Sequence, residues 1–224
     1  LGILTNILVQ GSVLGILSVA ISMIILLGDI NLATVGTAGF SALAGVMVMK
    51  AGLPVLLSIL VILATGGLIG VVNGLVVTKL KANALITTLA MNMVLLGSLL
   101  AITGGTSITQ LPDAYKFVSQ GRILGIPLMP LVMITVFLLF HILWQRSRFG
   151  RALFAIGGNP RAAYVSGIPV NRVKMWAYVV SGLLPGLAGW LLAGYMGAVT
   201  ASFGNQYEMQ VIAAGGYVSP EAEA

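Results

Sequence analysis

Residues 144–174 concentrate the side chains that could bind a charged partner. Six of the eleven basic residues of the chain lie in this segment, and none of the acidic residues does. The six are Arg146, Arg148, Arg151, Arg161, Arg172 and Lys174. Because apolar stretches long enough to cross a bilayer flank the segment, its excess of Arg and Lys predicts a cytoplasmic loop. A cytoplasmic partner could bind there.

The remaining ionisable residues do not form a catalytic or metal-binding set. The chain has one histidine, His141, and no cysteine, so neither a histidine cluster nor a thiolate metal site can form. No lysine follows a glycine, which excludes the phosphate-binding Gly-x-x-x-x-Gly-Lys-[Ser/Thr] loop. We therefore expect no enzyme activity, no catalytic residues, no metal site and no cofactor. His141 lies near the cytoplasmic end of an apolar run, which favours an interfacial histidine over a proton relay.

The composition places the chain in a membrane. Hydrophobic residues make up 58% of it and charged residues 7%, whereas soluble domains are about one quarter charged. The net charge of +6 comes from basic residues located between apolar runs, without the interleaved aromatic residues of a nucleic-acid-binding face. We expect an integral membrane protein in contact with lipid, and no nucleic-acid partner.

Apolar runs divide the chain into elements that would position the basic loop. A membrane-spanning helix needs about 20 residues, and five runs reach or approach that length, with a shorter sixth. The long runs are 3–27, 53–77, 83–103, 127–144 and 173–199, and the short one is 35–49. The fold class predicted is an all-α polytopic helical bundle, with residues 1–224 forming a single membrane domain. Its cytoplasmic loop, residues 146–172, is inserted between spans.

The charges also predict the orientation. Placing Lys79, Lys81 and the basic loop in the cytoplasm puts residues 104–125 on the outer side, with each intervening run crossing once. We expect the outer segment to be a loop with turns at Gly104-Gly105 and Pro112.

The basic loop carries helix start and stop signals. Residues 151–156 read as a short helix closed by Gly157-Gly158. Asn159 followed by Pro160 is an N-cap signal for a second helix, which Ser166-Gly167 would end. A third start signal is Asn171 after Pro169. Two short helices folded together predict a rigid knob with arginines at its rim and Ala, Tyr and Val on one face, suited to docking in a cleft of another protein.

Polar residues within the apolar runs could serve a solute path. An ionised Asp29 at bilayer depth would cost roughly 2.5 to 3.5 kcal/mol, so Asp29 and Asn31 mark either a broken helix on a substrate path or an ordinary surface turn. A further set of amides and hydroxyls fits contacts to a hydroxylated solute or hydrogen bonds between helices equally well. That set is Asn73, Asn83, Thr87, Thr88 and Asn92. Glu208 reads as a solvated loop carboxylate.

Small residues predict where helices pack closely. Gly66, Gly70 and Gly74 share one helix face, and Gly182 and Gly186 repeat the spacing in the last run. Such glycine faces are common in polytopic membrane proteins and do not indicate which solute is transported. Pro185 should kink or break the last helix.

The motifs of the basic loop resemble those of a known family. Arg148-Phe149-Gly150-Arg151, Ala155-Ile156-Gly157-Gly158-Asn159, Ser166-Gly167-Ile168 and Val170-Asn171-Arg172-Val173-Lys174 resemble the cytoplasmic loop of permease subunits of ribose-type sugar ABC importers. The resemblance extends through Gly28-Asp29-Ile30-Asn31-Leu32 to Ile212-Ala213-Ala214 and covers nearly the whole chain.

The resemblance implies a fold, partners and site residues. Such subunits have about ten spans, work in pairs in the bacterial cytoplasmic (inner) membrane, and import a monosaccharide delivered by an extracytoplasmic solute-binding protein. A separate ABC ATP-binding subunit would bind the cytoplasmic loop. The loop residues assigned to its groove are Arg148, Gly150, Arg151, Gly157, Gly158, Asn159, Ala163 and Gly167. Asp29, Asn31 and Asn92 become candidates for the translocation path, and the second permease chain could be identical or different.

The chain also departs from the family pattern. It starts inside apolar sequence and ends in a polar tail, residues 217–224, without family likeness, so we expect a fragment of the full subunit. Asn31 and Ala33 replace the usual residues of the first motif. The alternatives are an ion-coupled secondary transporter, a membrane scaffold protein, or an ABC permease for a nucleoside, a furanosyl signalling molecule or a branched-chain amino acid.

Overall fold

The computed structural model describes residues 2–109, 111–123, 126–200, 203, 207, 209–211 and 213. That part of the chain is almost entirely helical. Its helices are α1 Gly2–Ile25, α2 Thr34–Lys50, α3 Val55–Lys79, α4 Ala84–Thr103, α5 Asp113–Gln120, α6 Leu128–Arg146, α7 Arg148–Gly158, α8 Pro160–Val165 and α9 Val170–Met196. Four two-residue strands form two antiparallel pairs, β1 Ile108–Thr109 with β4 Ala198–Val199 and β2 Arg122–Ile123 with β3 Ile126–Pro127.

The predicted spans are present. Five helices are long and apolar enough to cross a membrane: Asn6–Ile25 within α1, then α3, α4, α6 and α9. Helix α2, at 17 residues, is the short sixth element. The all-α polytopic bundle is thereby confirmed.

Helix α9 lies at the centre of the bundle and packs against α1, α2, α3 and α5. Its contact with α3 is made by facing glycines. A Cβ atom on Gly66 would overlap the carbonyl oxygen of Gly182, and one on Gly182 would overlap the carbonyl oxygen of Gly66. Gly70 likewise lies against the backbone of Tyr178. These contacts confirm the predicted close packing of small residues.

Pro185 does not break α9, which continues from Val170 to Met196 with the proline inside it. Of the predicted kink or break, the break is therefore wrong. A proline removes one backbone hydrogen bond, and membrane helices tolerate this loss where neighbouring helices surround it. Pro185 is buried in this way.

The outer segment has the predicted turn at Gly104-Gly105 but also contains a helix, α5, where a loop was expected. Pro112 precedes α5, and the buried side chains Tyr115 and Ser119 lie four residues apart on the face that packs against α9. Gln120 donates from Nε2 to the Gly194 carbonyl oxygen at 3.1 Å. The prediction of a loop missed α5 because only one face of this eight-residue helix is apolar. Burial raises the pKa of the Tyr115 phenol above its usual value.

Candidate functional site: an interrupted helix and a helical knob

The chain between α1 and α2 runs back into the bundle. Gly28, with φ of 76°, reverses the chain after α1, and residues 29–33 are non-helical. Asp29 contacts Lys174 near the start of α9, and Asn31 contacts Ser181, seven residues farther along that helix. Seven residues of helix span about 10 Å. Helix α2 therefore begins inside the bundle, and residues 26–33, which we call the interruption, are not a surface turn.

Side chains satisfy the backbone of the interruption. The Leu32 N–H donates to Thr88 Oγ1 and the Ala33 N–H to Asn31 Oδ1, each at 3.0 Å. The Gly36 N–H, in the first turn of α2, donates to Asn92 Oδ1 at 2.9 Å. Lipid tails have no groups that can form hydrogen bonds. Non-helical backbone at this depth is therefore stable only where side chains bond to it in this way. Thr88 and Asn92 thus hold the interruption in place.

A buried chain of hydrogen bonds ties the interruption to two helices. Asn31 Nδ2 donates to Ser181 Oγ at 3.0 Å, and Ser181 Oγ donates to the Ala20 carbonyl oxygen at 2.9 Å. Both side chains are buried. The pair therefore joins α1, α9 and the start of α2.

Asp29 forms an ion pair with Lys174. The distance from Lys174 Nζ to Asp29 Oδ2 is 2.9 Å, and the side chains are 19% and 17% exposed. This partner offsets the cost of a carboxylate at the edge of the bundle. Sequence reasoning noted both residues separately and did not pair them.

A cavity of about 170 Å³ lies beside the interruption. Its described lining residues are Ile21, Asn31, Leu32, Thr34, Val35, Leu89, Asn92, Met209 and Val211, none of them charged. The first turn of α2 forms part of the wall and brings the positive end of its dipole there. The structure thus brings Asn31 and Asn92 together at one cavity and leaves Asp29 outside its lining. Glu208 lies outside the described residues.

Not all of the other polar residues lie near this cavity. Asn83 is the N-cap of α4, and its Oδ1 accepts from the Leu85 N–H at 2.9 Å. Asn73 is buried within α3. His141 is exposed on α6.

Helices α7 and α8 form the predicted knob. Asn159 Oδ1 accepts from the backbone N–H groups of Arg161 and Ala162 at 3.0 and 2.9 Å, and Pro160 is the first residue of α8. Gly167, with φ of 82°, follows the end of the helix. The predicted cap and stop of α8 are confirmed.

Three predicted boundaries of the knob were wrong. Helix α7 begins at Arg148 and continues through Gly157 and Gly158, beyond the expected end at residue 156. Gly157 stays helical because its bare backbone fits against the Leu26 carbonyl oxygen, where a Cβ atom would overlap. Helix α9 begins at Val170 after Pro169, so Asn171 lies inside it and is not its cap.

The inner side of the knob packs on the end of α1. Leu153, Ile156 and Ala163 are buried in one apolar cluster. The cluster also contains Met23 and Ile24 from the last turn of α1 and Leu27 from the interruption. Gly150 is buried against the Trp144 backbone. The knob is thus fixed to the bundle at the interruption.

The outer side of the knob is apolar with a basic rim. Phe154, Tyr164 and Val165 are 48%, 73% and 81% exposed. Six of the residues assigned to an ATPase groove are also exposed: Arg148, Arg151, Gly157, Gly158, Asn159 and Gly167. Gly150 and Ala163 are buried, and exposed Gly157 also lies against the Leu26 carbonyl oxygen. The sequence did not lead us to Phe154 as a surface residue. Leu153 and Ile156 face inward, and the helical period therefore places Phe154 on the outward face.

The chain is thus a polytopic membrane bundle in which a non-helical interruption lies beside a cavity and a helical knob packs against that interruption. Residues 3–215 match the family described as "Branched-chain amino acid transport system / permease component", and the chain belongs to this family. It is a multi-pass membrane protein, homologous to bacterial inner-membrane permeases, and a transport component rather than an enzyme.

Relatives of known role agree with this assignment. The chain is 35% identical over 211 residues to ribose import permease protein RbsC of Bacillus subtilis, covering 93% of this chain and 66% of that protein. It is 33% identical over 215 residues to RbsC of Escherichia coli K12, covering 94% and 67%. It is 33% identical over 208 residues to autoinducer 2 import system permease protein LsrD of Escherichia coli, covering 90% and 63%. The chain thus spans about two thirds of the length of these relatives. No solved structure matches it.

Proposed function

We propose that the chain is the membrane-spanning subunit of an ATP-driven ABC importer in the bacterial cytoplasmic membrane. A separate ABC ATP-binding subunit binds the knob, an extracytoplasmic solute-binding protein delivers the solute, and a second permease chain completes the channel. The resemblance of the loop motifs and the similarity to import permeases support these partners.

The observation that carries the proposal is the contact between the knob and the interruption. Gly157 lies against the Leu26 carbonyl oxygen, and Ile156 belongs to the same buried apolar cluster as Leu27. Asn31, on the cavity wall, follows Leu27 by four residues. A displacement of the knob would therefore reach the cavity through a few bonded and packed groups. Rigid transmission of this kind is what coupling to an external ATPase requires.

The outer surface of the knob suits a protein partner. Exposed aromatic residues and arginines are the residue types that dominate binding energy at protein interfaces. Phe154 and Tyr164 supply the aromatic groups, and Arg148, Arg151 and Arg161 are exposed around them. This surface is the proposed contact with the ATP-binding subunit.

A charge reversal on the knob tests the partner. In the reconstituted importer, Arg151→Glu is expected to lower transport and transport-coupled ATP hydrolysis at least tenfold, while the chain still inserts in the membrane. Lys50→Glu makes the same charge change on an exposed residue at the end of α2 and serves as control. Uptake driven by a proton gradient and unaffected by Arg151→Glu would instead favour an ion-coupled carrier.

For the solute we propose a monosaccharide. The described cavity wall carries the amides of Asn31 and Asn92 and the hydroxyl of Thr34, each of which also bonds within the chain, and no charged group. Amides and hydroxyls donate to and accept from sugar hydroxyls, whereas the two charges of an amino acid require stronger compensation. The similarity to ribose import permeases supports this choice.

Uptake competition tests the solute class. Ribose uptake into proteoliposomes containing the importer is expected to be inhibited by other monosaccharides and unaffected by leucine. Asn92→Leu should reduce uptake at least tenfold. Autoinducer 2 belongs in the panel because of the similarity to LsrD. Transport of leucine in preference to all sugars would contradict the proposal.

A further inference from the structure

A cleft lies between the end of α3 and the start of α9. Its volume is about 360 Å³, and it is lined by Thr78, Lys79, Asn171, Arg172, Met175 and Trp176. Lys79 is the last residue of α3 and Arg172 the third residue of α9. Both helices are long and apolar enough to cross a membrane. The cleft therefore lies where two spans leave the bilayer, on the side predicted to be cytoplasmic.

The cleft carries two uncompensated positive charges. Lys79 and Arg172 are both exposed, and neither forms an ion pair with a carboxylate in the part of the chain that the structure describes. Asp29, close by in the fold, is already bound to Lys174. The Thr78 hydroxyl donates to the Gly74 carbonyl oxygen at 2.6 Å, so it does not neutralise the cleft either. An anion is the ligand that this charge distribution favours.

Apolar side chains continue from the cleft along both helices. On α3, Leu75 and Val71 lie three and seven residues before Thr78, on the same face. On α9, Trp176 lies four residues after Arg172 and is 62% exposed. Tryptophan is enriched at the boundary between hydrocarbon and headgroups. A molecule with an anionic head and a hydrocarbon chain matches both parts of this surface.

We propose that the cleft binds the phosphate of an anionic membrane phospholipid. Lys79 and Arg172 face the phosphate, Trp176 lies at the level of the glycerol, and the acyl chain runs along Leu75 and Val71. Basic pockets between membrane helices on the cytoplasmic side bind anionic headgroups in this way. Because α9 continues directly from the knob, a bound lipid would hold together the two helices that meet through Gly66 and Gly182. The site does not depend on which solute is transported.

Native mass spectrometry of the full chain in mild detergent tests the site. Phosphatidylglycerol is expected to bind more tightly than phosphatidylcholine. One surface charge contributes about a fivefold change in affinity for anionic lipid, so Lys79→Gln with Arg172→Gln should weaken phosphatidylglycerol binding about thirtyfold. Equal binding of the two lipids, or unchanged binding in this double variant, would overturn the proposal.

Three controls separate the alternatives. Lys50→Gln removes a charge at the far end of α2 and should leave binding unchanged. Lys79→Arg with Arg172→Lys keeps both charges and should retain binding; loss as complete as in the neutral double variant would sink the assignment. Inorganic phosphate at the same concentration should not displace the lipid, and displacement would assign the cleft to free phosphate instead.

Discussion

A carboxylate inside a helical bundle needs a counter-charge, and Asp29 has it in Lys174, 145 residues later in the chain. The pair holds the interruption against the first turns of α9. Both side chains are less than one fifth exposed. We therefore expect the stabilisation by this pair to lie between that of a surface ion pair and that of a buried one.

Removal of one partner leaves the other charge without compensation. Asp29→Asn or Lys174→Met alone leaves an uncompensated group and is expected to lower the free energy of unfolding by roughly 1 to 3 kcal/mol. The double variant should lose less than the sum of the two. Thermal unfolding in detergent measures the cycle, with Lys50→Met as control for the loss of an exposed lysine. Strictly additive losses would show that the pair is not coupled.

Local residue roles were predictable, and long-range pairs were not. The Asn159 cap and the Gly167 stop follow from neighbours within a few residues, so the sequence suffices for both. The contact of Asn31 with Ser181 joins positions 150 residues apart. Nothing in the spacing of single polar residues selects such a partner among several equivalent amides and hydroxyls.

At the scale of elements, glycines decide how closely two helices approach. Gly182→Val would push side-chain atoms into the backbone of Gly66 and Gly70. Separation of α3 from α9 is expected to cost about 2 kcal/mol or more, as overpacking does elsewhere. The midpoint of thermal unfolding should fall accordingly. Gly97→Val, on an exposed face of α4 with no atom within 4 Å of the added Cβ, is the matched control and should have a small effect.

The fit of α7 on α1 makes a separate prediction. Gly157→Ala places one methyl group against the Leu26 carbonyl oxygen and should tilt the knob. We expect the purified chain to stay folded while transport falls more than tenfold and ATP hydrolysis no longer responds to solute. Gly97→Ala is the control. Normal transport by the Gly157→Ala variant would show that the contact between the knob and the interruption is not required for coupling.

The long apolar runs were all correctly predicted as spanning helices, because the length and hydrophobicity of a run are enough to predict a span. Elements that depend on packing were harder. Helix α5 forms because Tyr115 is buried beside α9, and α9 passes through Pro185 because neighbouring helices enclose it. Neither neighbour can be inferred from the local sequence.

At the scale of the whole molecule, the orientation in the membrane is still a prediction. The chain contains no cysteine, so single cysteines report accessibility without background. Val165→Cys, on the exposed knob, should react with a membrane-impermeant maleimide only in inverted vesicles. Lys50→Cys, at the far end of α2, should react only in right-side-out cells. The reverse pattern would place the knob outside and end the proposed coupling to a cytoplasmic ATPase.

The partners of the interruption also constrain biosynthesis. The Leu32 N–H needs Thr88, 56 residues later, and Asn31 needs Ser181, which is made later still. While the ribosome is still producing α3, these groups have no acceptors from the protein and must stay hydrated at the membrane surface. We therefore expect residues 31 and 32 to reach their final positions in the bundle only after α9 has been synthesised, which makes the start of α2 one of the last segments to settle.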